Sequence, residues 1–397
     1  MPTADADTAP PTTAPTAPLD EAVAEALTGI DRTTTSRRFP RQVLEKLGKH
    51  GVLRQRWAGP YPGDVLLGVR LAEEVARQTQ TGVAVGVSLH TETVLSMLHR
   101  FAGTSDYLAE LRERALDGTA VGAVAASEPT GGSDLSAVRT LAVPVAGGYR
   151  VTGRKKYVSL GAVGDFAVVL CRLATPDGTP TQRLATLVVP LDQGTVVREH
   201  DKLGTHALDT VAVEFEDVLV PAEAMLGRPG LGLATISHGL SFERLAVGAQ
   251  VVGAVGYALS LAVEHSERRE QFGAPLRAHQ HLEYRLADVL VELEVLRAAV
   301  HEVARQVMTE PLNRRLVARV AAVKVHAARQ AERLVSECMQ IFGGAGYLTQ
   351  ETPLGQLWQD VRLARIGGGT DEMMLALVAG ELQGSAEAYR SAVRISK

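Results

Sequence analysis

Apolar residues recur at helical spacing over Val43–Leu53, Val65–Arg77 and Leu108–Leu116, which predicts amphipathic helices from Leu19 to about Gly118. Gly59-Pro60, Pro62-Gly63 and Gly103 punctuate them. Near Val121 the period changes. Val143–Val151 reads as a hairpin turning at Gly147-Gly148. Pro144 marks a sheet edge, because proline cannot donate to a ladder. Phe166–Leu173 and Leu184–Leu191 are β-rich runs joined through Pro176-Asp177-Gly178, and Val211–Val220 alternates as a strand with one buried face. From Gly230 the period is helical again. Leu282, Leu286, Val289, Leu290, Leu293, Leu296, Val300 and Val303 share one helix face; Leu316, Val320, Val323, Ala327, Leu334 and Cys338 share another. The expected fold class is therefore α+β: helices over 19–120, a compact β domain over 121–228 and an antiparallel helical bundle over 229–397.

One stretch bears on membrane association. Leu245–Val263 is free of charge and nearly long enough to span a bilayer. Its three glycines, Gly248, Gly253 and Gly256, suit close helix packing, Arg244 and Glu264 bound it directly, and no aromatic belt flanks it. The expectation is a buried bundle helix and no membrane partner. Residues 1–18, mostly Pro, Thr and Ala, predict a disordered tail; they lack the basic and apolar regions of a secretory signal.

Apolar residues make up 46% of the 397, enough for a substantial core. Lys and Arg total 41 against 45 Asp and Glu, a net charge of −4, which argues against a nucleic-acid partner. The two cysteines, Cys171 and Cys338, form no CxxC pair, so neither a disulfide framework nor a metal knuckle is expected, and the cytoplasm fits.

Residues 123–134 read AVAASEPTGGSD. This resembles the signature of the acyl-CoA dehydrogenase family. KKYVSLG at 155–161, DKLGTHALDT at 201–210, VEFEDVLVPAEAMLG at 213–227, RREQFGAPLRAHQ at 268–280, QIFGGAGY at 340–347 and RIGGGTDEM at 365–373 are similar to its further blocks, in the family's order. The resemblance covers roughly residues 20–385. It implies N-terminal helices, a barrel-like middle β domain and a C-terminal four-helix bundle. It also implies one FAD per subunit, a homo-oligomer that is usually a tetramer, an acyl thioester substrate on coenzyme A or a carrier protein, and an electron-transfer flavoprotein as electron acceptor.

Glycines after an apolar strand let backbone N–H groups approach a ligand, so the segment from Val124 and Ala126 to Gly132 and Ser133 can cradle one. By resemblance, Ser127 faces the flavin pyrimidine edge and Ser133 the phosphates of cofactor or substrate. Tyr157, Val158 and Ser159 correspond to the block that covers the ring, with the Ser159 hydroxyl near N5. Arg269, Gln271 and Phe272, at a helix end closed by Gly273, and then Gln280, are implied to reach a neighbouring subunit's FAD. Arginine suits a pyrophosphate because its planar donors match phosphate oxygens. Gln340, Gly343, Gly344, Gly369, Thr370 and Glu372 are implied to line the adenosine half, although a Gly-Gly pair closing a helix is also an ordinary cap.

α,β-Dehydrogenation of a thioester needs a carboxylate to take the Cα proton. Many family members carry that Glu just before the C-terminal Gly-Thr, where this chain has Gly368. A subset, including isovaleryl-CoA and long-chain dehydrogenases, places it directly before an Arg on a bundle helix. Glu243, followed by Arg244, matches that position. Elsewhere such a Glu, at the start of an uncharged helix, is a capping carboxylate paired with its neighbour. Burial raises its pKa while a helix N-terminus and Arg244 lower it, so its direction is open. Arg244 and Ser241 are implied substrate contacts. The expected reaction sends the Cα proton to Glu243 and the Cβ hydride to flavin N5. A flavin monooxygenase on the same fold, or a silent flavin-binding protein, is the alternative.

Overall fold

The computed structural model describes residues 18–30 and 36–393. The expected tail over 1–18 lies outside these, apart from Pro18. Helices α1 (Leu19–Ala26), α2 (Gln42–Lys49), α3 (Val52–Arg56), α4 (Val65–Gln78), α5 (Thr81–Ser88), α6 (Leu95–Phe101) and α7 (Asp106–Leu116) form the N-terminal part. The predicted helix over Val43–Leu53 is two helices, because Gly51 turns left-handed at φ +71°. A π-helical segment, Leu89–Val94, joins α5 to α6 and was not foreseen.

Strands β1 (Gly122–Ala125), β2 (Leu141–Val145), β3 (Gly148–Ser159), β4 (Phe166–Ala174), β5 (Pro180–Pro190), β6 (Thr195–Glu199), β7 (Thr210–Pro221) and β8 (Met225–Leu226) form one mixed sheet. Its path runs β6-β7-β3-β2-β4-β5-β8, with β1 also on β4. β1 and β2 take consecutive stretches along β4, both parallel to it: Gly122–Ala125 beside Phe166–Val169, then Leu141-Ala142 beside Arg172-Leu173. The chain between them, 126–140, therefore leaves the sheet as a loop. The hairpin turn falls at Ala146-Gly147, since Val145 pairs with Gly148. Pro144 does not mark an edge strand. β2 lies between β3 and β4, and Pro144 stands beyond the two residues paired with β4, where no donor is needed.

Helices α8 (Gly232–Arg268), α9 (Gln280–Thr309) and α10 (Arg314–Ile341) make the bundle. A small hairpin, β9 (Glu270–Gln271) and β10 (Ala274–Pro275), links the first two. The short helices α11 (Gly344–Tyr347), α12 (Leu354–Val361), α13 (Asp371–Ala379) and α14 (Ala386–Ala392) follow, with α13 packed on α10 as the fourth bundle member. α8 is long and apolar enough to cross a membrane by length and composition, but it is packed between α4, α9 and α10 and most of its apolar window is buried. The apolar stripes of α9 and α10 face the core, with one correction: Leu290 is half exposed, because it sits toward the outer face with Val291. Cys171 and Cys338 are buried free thiols.

Candidate active site

Two regions carry the motif residues. In the first, the 126–140 loop is tied down by a buried carboxylate. Glu128 accepts from Arg139 N–H (2.8 Å), Thr140 N–H (2.8 Å) and the Thr140 hydroxyl (2.6 Å). The Lys155 ammonium, fully buried on β3, donates to Glu128 Oε1 (2.9 Å) and to Ala126 O (3.2 Å). Burial alone raises the Glu128 pKa, yet the Thr140 hydrogen bonds and the Lys155 charge hold it below the usual carboxylate value. Glu128 and Gly131 exchange backbone hydrogen bonds, and Lys156 N–H donates to Ser127 O (2.9 Å).

This framing leaves one face open. Val124 and Ala126 are half-buried while Ala123 and Ala125 are in the core. Gly132 and Ser133 are exposed, and their N–H groups donate to no acceptor among the described residues. Tyr157 stands at a bulge in β3, with φ +62° and 58% exposure, so it is no core tyrosine. Val158 is buried, and the half-buried Ser159 hydroxyl lies 3.3 Å from that of Thr210. Free N–H groups, a hydroxyl and an uncovered aromatic ring on adjoining segments fit a planar, phosphate-bearing cofactor.

In the second region, Glu243 sits in the fourth turn of α8, not at its start. It is no capping residue, and the helix N-terminus lies too far off to lower its pKa. Its half-buried carboxylate accepts from the Thr93 hydroxyl (3.3 Å) on the π-helical segment. Burial raises its pKa, against the partial offset of Arg244, Thr93 and Lys324. The direction left open by the sequence is thus upward. Arg244 Nε donates to Gly368 O (2.8 Å), and Lys324 Nζ on α10 donates to Gly369 O (2.6 Å). Two cations thereby clamp successive carbonyls of the Gly367–Gly369 turn. Burial lowers the Lys324 pKa to about 8, opposed by Asp371 and Glu243.

That turn brings together the two positions between which the sequence had to choose. A Cβ built on Gly368 falls 3.3 Å from Glu243 Oε1, so a carboxylate on either residue serves the same corner. Gly368 has φ +66°, which disfavours any other residue there. The N–H groups of Gly368 and Gly369 have no acceptor among the described residues. A mostly apolar cavity opens beside Glu243, about 460 Å³ including its solvent mouth, between α5, α8, α12 and the glycine turn.

The other predicted residues are placed as follows. Arg269 caps α8. Gln271 and Phe272 belong to the β9–β10 hairpin rather than to a helix end, because Phe272 and Gly273 turn left-handed. Phe272 is 98% exposed. Gln280 opens α9, and its amide donates to Tyr284 OH (2.7 Å). Gln340 is in the last turn of α10, Gly343 and Gly344 lead into α11, Thr370 caps α13, and Glu372 is in that helix's first turn. The Ser241 hydroxyl donates to Ser237 O (2.9 Å) in its own helix. Thr93, Lys324 and Glu128 were not foreseen as site residues. Glu128 lies inside the 123–134 motif, and Lys324 left a trace as a lone cation on the apolar face carrying Val320, Ala327 and Ala331; Thr93 left none.

The family description "Acyl-CoA dehydrogenase, middle domain" matches residues 123–218, and "Acyl-CoA dehydrogenase, C-terminal domain" matches residues 230–383. The acyl-[acyl-carrier-protein] dehydrogenase MbtN of Mycolicibacterium paratuberculosis is 43% identical over 361 residues, 90% of each chain. The mitochondrial isovaleryl-CoA dehydrogenase of Oryza sativa subsp. japonica is 31% identical over 310 residues, 78% of this chain and 74% of that one. The structure of butyryl-CoA dehydrogenase from Megasphaera elsdenii superposes with a TM-score of 0.82 at 28% identity, covering 91% of this chain and 96% of that one. The chain belongs to the acyl-CoA dehydrogenase family and is an FAD-dependent oxidoreductase.

Proposed function

We propose that this enzyme dehydrogenates an acyl thioester between Cα and Cβ, with Glu243 as the base and a carrier-protein phosphopantetheine as the thioester's bearer. The observation that carries the chemistry is the Glu243 carboxylate against the Gly368 turn, at the head of an apolar cavity. Similarity to a carrier-protein dehydrogenase over nine-tenths of both chains supports the choice of carrier. FAD, when bound, supplies the two-electron acceptor for the Cβ hydride. The Ser127–Ser133 loop, with Tyr157, Val158 and Ser159, is assigned to the flavin ring.

Glu243 takes the Cα proton. Its raised pKa suits the task, because a stronger base in a partly desolvated corner drives proton transfer further. The Gly368 N–H, held by the Arg244 and Lys324 clamps on the adjoining carbonyls, is assigned to the thioester oxygen, where negative charge grows as the proton leaves. Arg244 keeps its Nη groups without a hydrogen bond among the described residues, which leaves them for the pantetheine arm.

The assembly is proposed to be a homotetramer, with Arg269, Gln271 and Phe272 serving a neighbour's FAD. Supporting this, Phe272 projects bare from its hairpin, and α9 carries exposed Tyr284, Val291 and Val295 along one face. Electrons are proposed to leave to an electron-transfer flavoprotein. The test is anaerobic titration with matched acyl-carrier and acyl-CoA thioesters. Flavin bleaching, faster with the carrier thioester, is expected. Bleaching by neither refutes the dehydrogenase assignment, and preference for coenzyme A refutes the carrier.

A further inference from the structure

The cavity beside Glu243 has a direction. On α8 it is lined by Glu243, Val247, Gln250, Val251 and Ala254, positions i, i+4, i+7, i+8 and i+11 of one helix face. At about 1.5 Å per residue the stripe runs roughly 16 Å from the base. Its polar side chains are engaged elsewhere. The Gln250 amide donates to Ala84 O (3.2 Å), and Asp360 accepts from Thr205 N–H (2.6 Å), from the Gln356 amide (2.7 Å) and from Thr81. What remains facing the space is hydrocarbon, with Val85 of α5 on the opposite wall. A staggered alkyl chain advances about 1.3 Å per carbon, given C–C bonds near 1.5 Å and angles near 111°. The stripe therefore matches about twelve carbons.

We propose that this cavity selects an aliphatic acyl chain of about twelve carbons, with Ala254 at its far end setting the limit. The inference rests on the acyl-thioester reading above and adds the chain length to it. Each buried methylene strengthens binding by about fourfold until the stripe is filled, and carbons beyond Ala254 add nothing.

The test is anaerobic flavin bleaching of the holoenzyme by saturated phosphopantetheine thioesters of four, eight, twelve and sixteen carbons. The bleaching rate at limiting thioester is expected to climb to twelve carbons, at least tenfold above four, and not to rise further at sixteen. Ala254→Phe fills the far end and is expected to cut the twelve-to-four ratio at least tenfold with FAD retained. Should that variant fail to hold FAD, Val85→Phe on the facing wall reads the same ratio. A four-carbon thioester as fast as the twelve-carbon one overturns the inference and leaves the dehydrogenase reading standing, as does a ratio unmoved in a flavin-replete variant. Bleaching at no length overturns both.

Discussion

The 126–140 loop, proposed to carry the flavin, and the corner around Glu243, proposed as the base, are built in opposite ways. The loop is nearly continuous in sequence: residues 126–140 and the strand β3 shortly after supply its glycines, hydroxyls and the Glu128–Lys155 tie. Its exposed groups are weakly constrained, and one buried ion pair fixes the whole. The base corner draws on four distant segments: Thr93 on a π-turn, Glu243 and Arg244 on α8, Lys324 on α10, and the Gly367–Gly369 turn. A π-turn changes which residues face inward, and here it presents Thr93 to the carboxylate. The π-turn is itself anchored. Arg56 meets Glu92 through three buried hydrogen bonds (3.0, 3.2 and 2.8 Å), and His90 accepts from Gly122 N–H at the start of β1 while donating to Ala115 O. Burial pushes the His90 pKa down to about 4, so the neutral ring joins the corner to β1. A contiguous site can be held by one local tie; a dispersed one needs the surrounding helices to be rigid.

If the two regions divide the work as cofactor platform and base, they should fail differently. Glu243→Gln should keep FAD and thioester binding but lose bleaching by about 10² to 10⁴-fold, measured by anaerobic stopped flow. A wild-type rate would place the base elsewhere. Glu128→Gln should act on stability, leaving Lys155 buried without its counter-ion at a cost of about 3–5 kcal/mol, read by denaturant unfolding of the holoenzyme. Because the folded pKa of Glu128 is depressed, its contribution is present above the ordinary carboxylate value and lost as pH falls through the folded value. The variant should lack that acid dependence.

Gly368→Ala should cost about 1–2 kcal/mol, since φ +66° is left-handed. The added methyl, 3.3 Å from Glu243 Oε1, should also slow bleaching more than it weakens FAD binding. The smallest expected effect separates electrostatics from scaffolding. Wild-type bleaching should lose its base at a pKa above 4.5, since burial raises that of Glu243. Lys324→Met removes a nearby positive charge that opposes this rise, so the acid limb should move to still higher pH. An unmoved limb would make Lys324 purely a tether for Gly369.

The hydrophobic period by itself determined the order helix, sheet, bundle, and the motif blocks singled out the 123–134 and 155–161 segments, because both signals are local: one spacing decides an amphipathic face, and one run of glycines marks a loop. Glu243 was legible only as one of two candidate positions. That Gly368 lies against its carboxylate, that α8 starts three turns earlier and removes any help from a helix terminus, and that the net pKa shift is upward were decided by packing. Thr93 and the clamping role of Lys324 were beyond the sequence for the same reason. A hydrogen bond across 150 residues, or between Lys324 and Gly369, depends on where helices cross, and side-chain spacing along one chain carries no record of that crossing.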